Sequence, residues 1–203
     1  MKDEITIGID TSGESLHKRG YRRLTSKAPL TETLAAALLS LTPWKRDRVL
    51  VDPFCGSGTI PIEAAMIGMN IAPGRNRRFL SEQWENLIPP KHFSAARAEA
   101  DDKVLRDITL SIIGYDIDRD IVSAARQNAI LAGVDHQIHF QAKPVAQLSS
   151  PKKYGFIVTN PPYGERLEEK AAMPALYKEI GEAFAKLDTW SYYIITGFEE
   201  AQK

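Results

Sequence analysis

Short apolar runs alternate with longer amphipathic stretches along most of this chain. Runs of four to eight apolar residues are typical of buried strands, and apolar residues at helical spacing are typical of helices packed on a sheet. The predicted strands lie near Val49, Ile112, Ile138, Phe156 and Tyr192. The predicted helices run from Thr31 to near Pro43, from Ile60 to Ile67, from Ser94 to Asp107, from Ile121 to Ala132 and from about Pro174 to Leu187. This alternation predicts an α/β fold with a doubly wound, parallel, Rossmann-like sheet and helices on both faces.

Other segments have weaker patterns. Alternating isoleucines predict a short strand from Ile5 to Ile9, and the stretch from Met69 to Phe93, rich in Pro, Gly, Asn and Arg, predicts an inserted loop. Asp118 or Asp120 is expected to cap the helix that Gly133 terminates. The run from Tyr192 to Thr196 is expected to be an exposed edge strand.

The tetrapeptide Asn160-Pro161-Pro162-Tyr163 follows the apolar run from Tyr154 to Thr159. Two prolines end a strand and stiffen the loop after it, at the sheet edge where open α/β folds bind ligands. The Asn160 carboxamide oxygen and the Asn160 and Pro161 carbonyls can then accept from an exocyclic amine while Tyr163 stacks on its ring. The alternative is a proline-terminated strand with a surface Asn turn.

A glycine turn, Asp52-Pro53-Phe54-Cys55-Gly56-Ser57-Gly58-Thr59, joins the Val49 strand to the next helix. Gly56 and Gly58 permit close backbone approach, and the helix amino terminus attracts an anionic or carboxylate group. No Lys follows the glycines, so a P-loop is excluded, and Pro61 occupies the third glycine position of a dinucleotide fingerprint. A purely structural strand-to-helix turn remains open.

The strand around Ile112 ends at Asp116. A carboxylate at the tip of the second strand of such a sheet can accept hydrogen bonds from both hydroxyls of a ribose. We therefore predict that Asp116 binds the ribose of a nucleoside cofactor. The alternative is that the acidic residues here serve in helix capping alone.

Together these motifs resemble the S-adenosylmethionine-dependent methyltransferases that carry an Asn-Pro-Pro-Tyr motif. More narrowly, the chain is similar to the THUMP-associated bacterial guanine-N2 RNA methyltransferases that act on 23S ribosomal RNA. The resemblance lies in Leu16 to Arg22, Ala28 to Ala36, Asp52 to Ala65 and Asn160 to Arg166. It implies a class I S-adenosylmethionine-dependent fold and methyl transfer to guanine N2 in RNA.

The resemblance also implies roles for individual residues. The glycine loop would wrap the methionine part of the cofactor, through Asp52, Phe54, Cys55, Gly56, Ser57, Gly58 and Thr59. Pro29, Leu30 and Thr31 would close over it, Asp116 and Ile117 would hold the ribose, and Asn160 to Tyr163 would hold the target base beside the cofactor. Relatives place an acidic residue after the third strand, whereas this chain reads Phe140-Gln141-Ala142-Lys143-Pro144. Gln141, with Ala142, is the substitute expected to contact the adenine.

The composition limits the number of domains, the disulfides and metal sites, and the location of the chain. A chain of 203 residues with 43% apolar content is most simply one domain. Cys55 is the only cysteine, so we expect no internal disulfide and no metal cluster, and Cys55 itself is expected to be a small packing residue. No apolar run approaches the ~20 residues of a membrane helix, and no signal-peptide pattern begins the chain. We expect a cytoplasmic protein without a membrane partner.

The formal net charge is zero, which is unusual for a chain that binds RNA alone. Two basic segments are nevertheless candidates for phosphate contacts. They contribute Lys18, Arg19 and Arg22 near the start, and Arg75, Arg77 and Arg78 in the inserted loop. The alternative for both segments is an ordinary solvated surface.

Both ends read as truncated when set against the family. The resemblance implies an RNA-binding THUMP domain before Leu16 and further sheet after Thr196. We therefore expect residues 1–16 to be a remnant of a linker or preceding domain and residues 17–203 to form a methyltransferase domain incomplete at its carboxyl end. An uncovered edge strand would favour a homodimer.

Two other functions use the same motifs. A DNA adenine-N6 methyltransferase needs the same loop and cofactor, because adenine N6 is also an exocyclic amine. A non-catalytic fragment that binds S-adenosylmethionine or RNA would still use the glycine turn, but Asn160 and Tyr163 would have no function in it.

Overall fold

The computed structural model of the chain describes residues 5–22, 30–164 and 170–202. Within these ranges, five strands form one parallel sheet: β1 (Leu50–Asp52), β2 (Ile112–Asp116), β3 (Ile138–Ala142), β4 (Phe156–Thr159) and β5 (Ser191–Ile194). Their order is β3-β2-β1-β4-β5, with every neighbouring pair parallel. The predicted doubly wound α/β fold is confirmed.

In the described residues, five α-helices connect or flank these strands. They are α1 (Glu32–Leu41), α2 (Thr59–Gly68), α3 (Pro90–Asp102), α4 (Arg119–Ala132) and α5 (Met173–Phe184). Short 3-10 turns lie at Leu80–Gln83, Asp135–Gln137, Val145–Gln147 and Glu199–Gln202.

The ends of α4 follow directly from its sequence. The Asp118 side chain accepts hydrogen bonds from the backbone N–H groups of Asp120 and Ile121, at 2.8 and 3.3 Å. Gly133 ends the helix in the left-handed region at φ 73°, which costs glycine little. Of the two predicted caps, Asp118 is the one that caps α4. The prediction that Gly133 ends the helix is confirmed.

The core lies on both faces of the sheet. Leu50 packs with one buried cluster, which includes residues of α1, α2 and α4, whereas its neighbours Val49 and Val51 pack with a second cluster that includes residues of α5. All three residues of β1 are buried, as expected of a central parallel strand covered by helices on both sides.

Two predicted elements differ from the structure: one strand is absent from the described residues, and one helix begins earlier than predicted. Residues 5–10 form no strand, and Ile5, Ile7 and Ile9 are 85%, 91% and 78% exposed, because no described strand lies beside them to complete a ladder. The helix predicted from Ser94 begins at Pro90 instead, since proline is compatible with the first turn of a helix. The inserted loop is correspondingly shorter.

The strand order places the site. The order reverses between β1 and β4, so the chain leaves these two strands in opposite directions and opens a crevice at their carboxyl ends. Asp52 ends β1 and Asn160 follows β4 at this crevice. The edge prediction for β5 also holds among the described residues, because β5 pairs with β4 on one side and most of its residues are exposed.

Candidate active site

A cavity of about 680 Å³ opens at the carboxyl edge of the sheet. Thirteen of the residues predicted from the sequence line it: Leu30, Asp52, Phe54, Cys55, Gly56, Ser57, Thr59, Asp116, Ile117, Asn160, Pro161, Pro162 and Tyr163. Motifs more than 100 residues apart in the chain therefore share one concave site. Its size lies within the range of small-molecule and cofactor pockets, roughly 300–1,000 Å³.

The loop after β1 is held from beneath by backbone and side-chain hydrogen bonds. The Cys55 N–H donates to the Tyr115 carbonyl at 2.8 Å, and the fully buried Asn128 amide donates to the Ser57 carbonyl at 3.1 Å. These bonds fix the loop against β2 and α4. Its remaining N–H groups can therefore be presented to a ligand without a large ordering cost.

Gly58 has a packing role in this loop. It precedes α2 at φ 89°, and a Cβ added there would lie 3.1 Å from both the Ala125 Cβ and the Phe140 Cζ. The residue faces the core and does not line the cavity. Its predicted cofactor contact is therefore replaced by a structural requirement for glycine.

Asp52 is a buried acid at the base of the cavity. It is 1% exposed, and its Oδ1 accepts hydrogen bonds from the Thr159 hydroxyl at 2.7 Å and from the Phe54 N–H at 3.1 Å. Burial raises the pKa of Asp52 to about 7, although both hydrogen bonds act to lower it. The nearby Asp116 carboxylate adds to the increase in pKa. A cationic ligand group beside Asp52 would favour its ionised form.

Asp116 is held in a fixed orientation at the tip of β2. Its Oδ2 accepts from the Gly56 N–H and its Oδ1 from the Asp118 N–H, both at 3.0 Å. Each carboxylate oxygen can accept a second bond, so the side chain can still bind two hydroxyls. Because Asp118 caps α4, the interpretation of Asp116 as that helix's cap is wrong.

The loop after β4 brings Asn160 to the same cavity. Asn160 is half-buried, Pro161 is buried, and Tyr163 is half-buried beside Gly197. A Cβ added at Gly197 would lie 3.2 Å from the Tyr163 Cδ2, so this glycine allows the chain after β5 to pack closely on the ring. Asn160 and Tyr163 therefore line the same cavity as the residues after β1 and β2.

The predicted adenine contact at the end of β3 is misplaced. Gln141 still pairs with Tyr115 in the ladder, and its side chain is exposed; Ala142 packs against the core. Neither residue lines the cavity, whereas the next three residues, Lys143, Pro144 and Val145, do. Gln141 and Ala142 therefore lie outside the cavity wall, and the residues directly after them form that wall instead.

The segment before α1 is partly described. Leu30 lines the cavity, and Thr31 occupies the N-cap position of α1 but is exposed and makes no side-chain capping bond. Pro29 lies outside the described residues. Of this predicted group, the structure therefore brings Leu30 to the site.

Two of the six side chains predicted to contact RNA, Arg19 and Arg77, are buried, and a third, Arg22, is partly buried and hydrogen-bonded to the protein. Arg19 is 9% exposed and lies 3.5 Å from Glu63 Oε1, and Arg77 is 8% exposed and donates to the carbonyls of Ser12, Glu14 and Ser15. Arg22 donates to the Leu30 carbonyl at 2.5 Å and to the Thr59 hydroxyl at 2.8 Å. Since these guanidinium groups already bind the protein interior, the prediction that they contact phosphates is wrong.

The other three predicted phosphate contacts are exposed. Lys18 lies 3.2 Å from Glu14, and Arg75 lies 3.1 Å from Asp101. Arg78 is exposed on the same loop as Arg75. Exposed ion pairs of this kind exchange partners at little cost, so these side chains remain available to an anionic surface.

Sequence reasoning missed several residues of the cavity wall. They are Ile121 from α4, Leu176 and Glu179 from α5, and Lys143, Pro144 and Val145 after β3. Leu176 and Glu179 are spaced one turn apart on a helix, and that spacing was the signal available. Which face of α5 meets the cavity depends on tertiary packing, which the pattern does not specify.

Within residues 5–22, 30–164 and 170–202, no group of three or more His, Cys, Asp or Glu side chains is placed to hold a metal ion. No helix in the described part of the chain has the length and apolar character needed to span a bilayer. Cys55 is buried, and burial raises the pKa of its thiol well above the usual value, so it is poorly suited to act as a nucleophile.

The chain is similar in sequence to two proteins named as methyltransferases. The chain is 52% identical over 204 residues to "Putative RNA methyltransferase YpsC" of Bacillus subtilis, a match covering 99% of this chain and 53% of that protein. It is 43% identical over 200 residues to the Ribosomal RNA large subunit methyltransferase K/L of Shewanella pealeana, covering 96% of this chain and 28% of that protein.

The chain is also similar to a protein of solved structure. The structure described as "Crystal structure of SMU.472, a putative methyltransferase complexed with SAH" matches with a TM-score of 0.89 and 44% identity, covering 95% of this chain and 50% of that one. The chain thus spans about half the length of YpsC and of SMU.472. Residues 19–203 match the family described as UPF0020, RMKL-like, methyltransferase domain, and the chain belongs to that family.

Proposed function

We propose that this chain transfers a methyl group from S-adenosylmethionine to the exocyclic N2 of a guanine in RNA, with 23S ribosomal RNA as the expected substrate. One observation carries the proposal. Asp52, Asp116 and Asn160 follow or end three neighbouring parallel strands and line a single cavity at the point where the strand order reverses. Two of these residues suit a nucleoside cofactor, and the third suits an amine on a flat base.

The donor set of the cavity fits S-adenosylmethionine. Asp116 has free acceptor capacity on both oxygens for ribose hydroxyls, since each oxygen accepts one bond from the backbone. Asp52 offers a carboxyl group to a cationic amino group, and the amino terminus of α2, ten residues long, begins at Thr59 on the same wall. A helix amino terminus favours a carboxylate, so both ends of an amino-acid moiety have a partner.

Asn160 and the prolines after it would hold the target base. Pro161 and Pro162 fix the local backbone. Asn160 and both prolines line the cavity, so the Asn160 carboxamide and the adjacent carbonyls are the acceptors available to a base there. Two acceptors aimed at one amine orient its lone pair, while Tyr163 offers a ring for stacking. When bound, the cofactor supplies a methyl group on a positively charged sulfonium. The residues of this chain then contribute alignment of the amine.

RNA as the substrate is supported by relatives rather than by a basic groove. YpsC carries the name "Putative RNA methyltransferase", and the K/L protein is named as a ribosomal RNA methyltransferase. The exposed Lys18, Arg75 and Arg78 are the candidates in this chain for phosphate contacts. An RNA-binding THUMP domain in the parent chain, a homodimer and a cytoplasmic location stay predictions.

The proposal is tested by nucleoside mass spectrometry. The chain is incubated with isotopically labelled S-adenosylmethionine and either unmodified 23S ribosomal RNA or duplex DNA, and the nucleosides are then separated. Label in N2-methylguanosine supports the proposal. Label in N6-methyladenine of DNA would replace guanine by adenine as the target, and binding of S-adenosylhomocysteine without label in either nucleic acid would favour a non-catalytic role.

A further inference from the structure

Glu179 differs from the other acidic residues that line the cavity. The cavity wall in the described chain contains three carboxylates, Asp52, Asp116 and Glu179. Asp52 and Asp116 each accept hydrogen bonds from neighbouring protein groups. Glu179, on α5, has no hydrogen-bond or ion-pair partner among the described residues, although it faces the same cavity. Its acceptor capacity is therefore available to a ligand.

The position of α5 puts Glu179 beside the end of β3. Leu176 and Ile180 of α5 pack in one cluster with Val145 and Leu148, which belong to the turn that follows β3. Leu176 and Glu179 lie one helical turn apart and both line the cavity. They thus form a wall on the β3 side, whereas Asp52 and the glycine loop lie on the β1 side.

β2, which ends at Asp116, lies between β3 and β1. If the residues on the β1 side bind the amino-acid part of the cofactor and Asp116 binds its ribose, the base lies on the β3 side. The side chains directly after β3 offer that base no acceptor. Lys143 is a donor and lies with its Nζ 4.9 Å from the centroid of the Tyr115 ring, and Pro144 and Val145 are apolar. An adenine amino group needs an acceptor, and the Glu179 carboxylate is the side chain on this wall that can supply one.

We propose that Glu179 accepts a hydrogen bond from the adenine amino group of the bound cofactor, with Leu176 packing against the base. The inference rests on the proposed function, because it needs S-adenosylmethionine in the cavity. It assigns to α5 the recognition that the segment after β3 lacks, and it makes Glu179 a residue that distinguishes adenine from a base with a carbonyl at the same position.

The test uses two ligands that differ at one group: S-adenosylhomocysteine and its deaminated analogue S-inosylhomocysteine, in which a carbonyl replaces the amine. Both are titrated calorimetrically into the wild-type chain, Glu179→Gln and Glu182→Gln. Glu182 is the matched control, because it is an exposed glutamate one turn further along α5, 4.0 Å from Lys178, and it does not line the cavity.

We expect the wild type and Glu182→Gln to prefer S-adenosylhomocysteine by about tenfold, the usual scale of a hydrogen bond to a charged group. Glu179→Gln should lose most of that preference, since a carboxamide can accept from the amine or donate to the carbonyl. An unchanged preference in Glu179→Gln, or equal binding of both ligands by the wild type, would overturn the assignment of Glu179. A folded wild type that binds neither ligand would instead refute the proposed function.

Discussion

The Thr159 hydroxyl donates a 2.7 Å hydrogen bond to Oδ1 of Asp52, joining two residues that lie 107 positions apart in the chain. Thr159 is the last residue of β4 and Asp52 the last of β1, and both are essentially inaccessible to solvent. The bond ties the glycine loop after β1 to the strand that presents Asn160. The two halves of the candidate site are therefore positioned against each other by a buried polar contact.

Removal of this bond should destabilise the fold. In Thr159→Val the Asp52 carboxyl keeps its burial but loses one of two donors, so we expect the free energy of unfolding to fall by about 1–3 kcal/mol. Urea denaturation at pH 7 measures the change. Thr159→Ser retains the hydroxyl and serves as the control, with a smaller loss from one missing methyl group. A loss in Thr159→Ser as large as that in Thr159→Val would show that the hydroxyl contributes no more to stability than the methyl group does.

The raised pKa of Asp52 predicts a pH dependence of stability. Its pKa is about 7 in the folded chain and 3.8 in the absence of the fold. Between about pH 4 and pH 7 the unfolded state therefore binds fewer protons than the folded state, and the free energy of unfolding decreases as the pH rises. The stabilisation from this group is present in full below pH 4 and is lost once the pH has passed about 7.

Asp52→Asn should remove this component, because an amide does not titrate. We expect the fall in the free energy of unfolding between pH 5 and pH 8 to be smaller in Asp52→Asn than in the wild type, as measured by urea denaturation at both pH values. Glu63, whose pKa burial also raises, contributes with the same sign and remains in both proteins. Parallel pH profiles for the two proteins would mean that Asp52 is ionised in the fold.

Much of the fold and the site was accessible from sequence because the decisive residues are local. Asp118 and Gly133 mark the ends of α4 within the helix's own neighbourhood, and Asp52, Asp116 and Asn160 each stand at the end of an apolar run. In a parallel doubly wound sheet all strands end at one edge, so these three had to meet there.

What the sequence could not predict depends on tertiary contacts. Arg19 and Arg77 lie in basic segments, yet backbone carbonyls and a buried glutamate enclose them. Likewise, isoleucines at positions 5, 7 and 9 have strand periodicity but no described partner strand. Charge and periodicity describe a segment alone, whereas burial and pairing depend on what the fold places beside it.

The left-handed conformation and tight packing of Gly58 predict a large cost for any side chain there. Gly58→Ala forces an L-residue to φ 89° and puts its Cβ 3.1 Å from Ala125 and Phe140. We expect a loss of about 1–3 kcal/mol in the free energy of unfolding, measured by urea denaturation.

Gly181→Ala is the matched control for that change. Gly181 lies inside α5, and an added Cβ there meets nothing within 4 Å. The same substitution should therefore stabilise the chain by about 0.5–1 kcal/mol through helix propensity. If Gly58→Ala proved as harmless as Gly181→Ala, the loop before α2 would have to rearrange freely, which its bonds to Tyr115 and Asn128 argue against.

Asn160→Ala separates binding of the cofactor from orientation of the target amine. Asn160 lines the same cavity as Asp52 and Asp116, which are assigned to the cofactor. Loss of its carboxamide should lower single-turnover methyl transfer to RNA by orders of magnitude, since alignment supplies up to ~7–11 kcal/mol of barrier reduction in favourable cases. The affinity for S-adenosylhomocysteine, measured by calorimetry, should stay nearly unchanged.

The control for Asn160→Ala is the same substitution at Asn86, an exposed residue away from the cavity, which should leave both transfer and affinity at the wild-type level. A combined collapse of transfer and cofactor affinity in Asn160→Ala would show that the loop after β4 also holds the cofactor. Asp52 and Asp116 would then bind only part of the cofactor, and Asn160 would have to be assigned to cofactor binding as well. Retained transfer in Asn160→Ala would leave the prolines and Tyr163 to position the amine, because the backbone carbonyls remain in the variant.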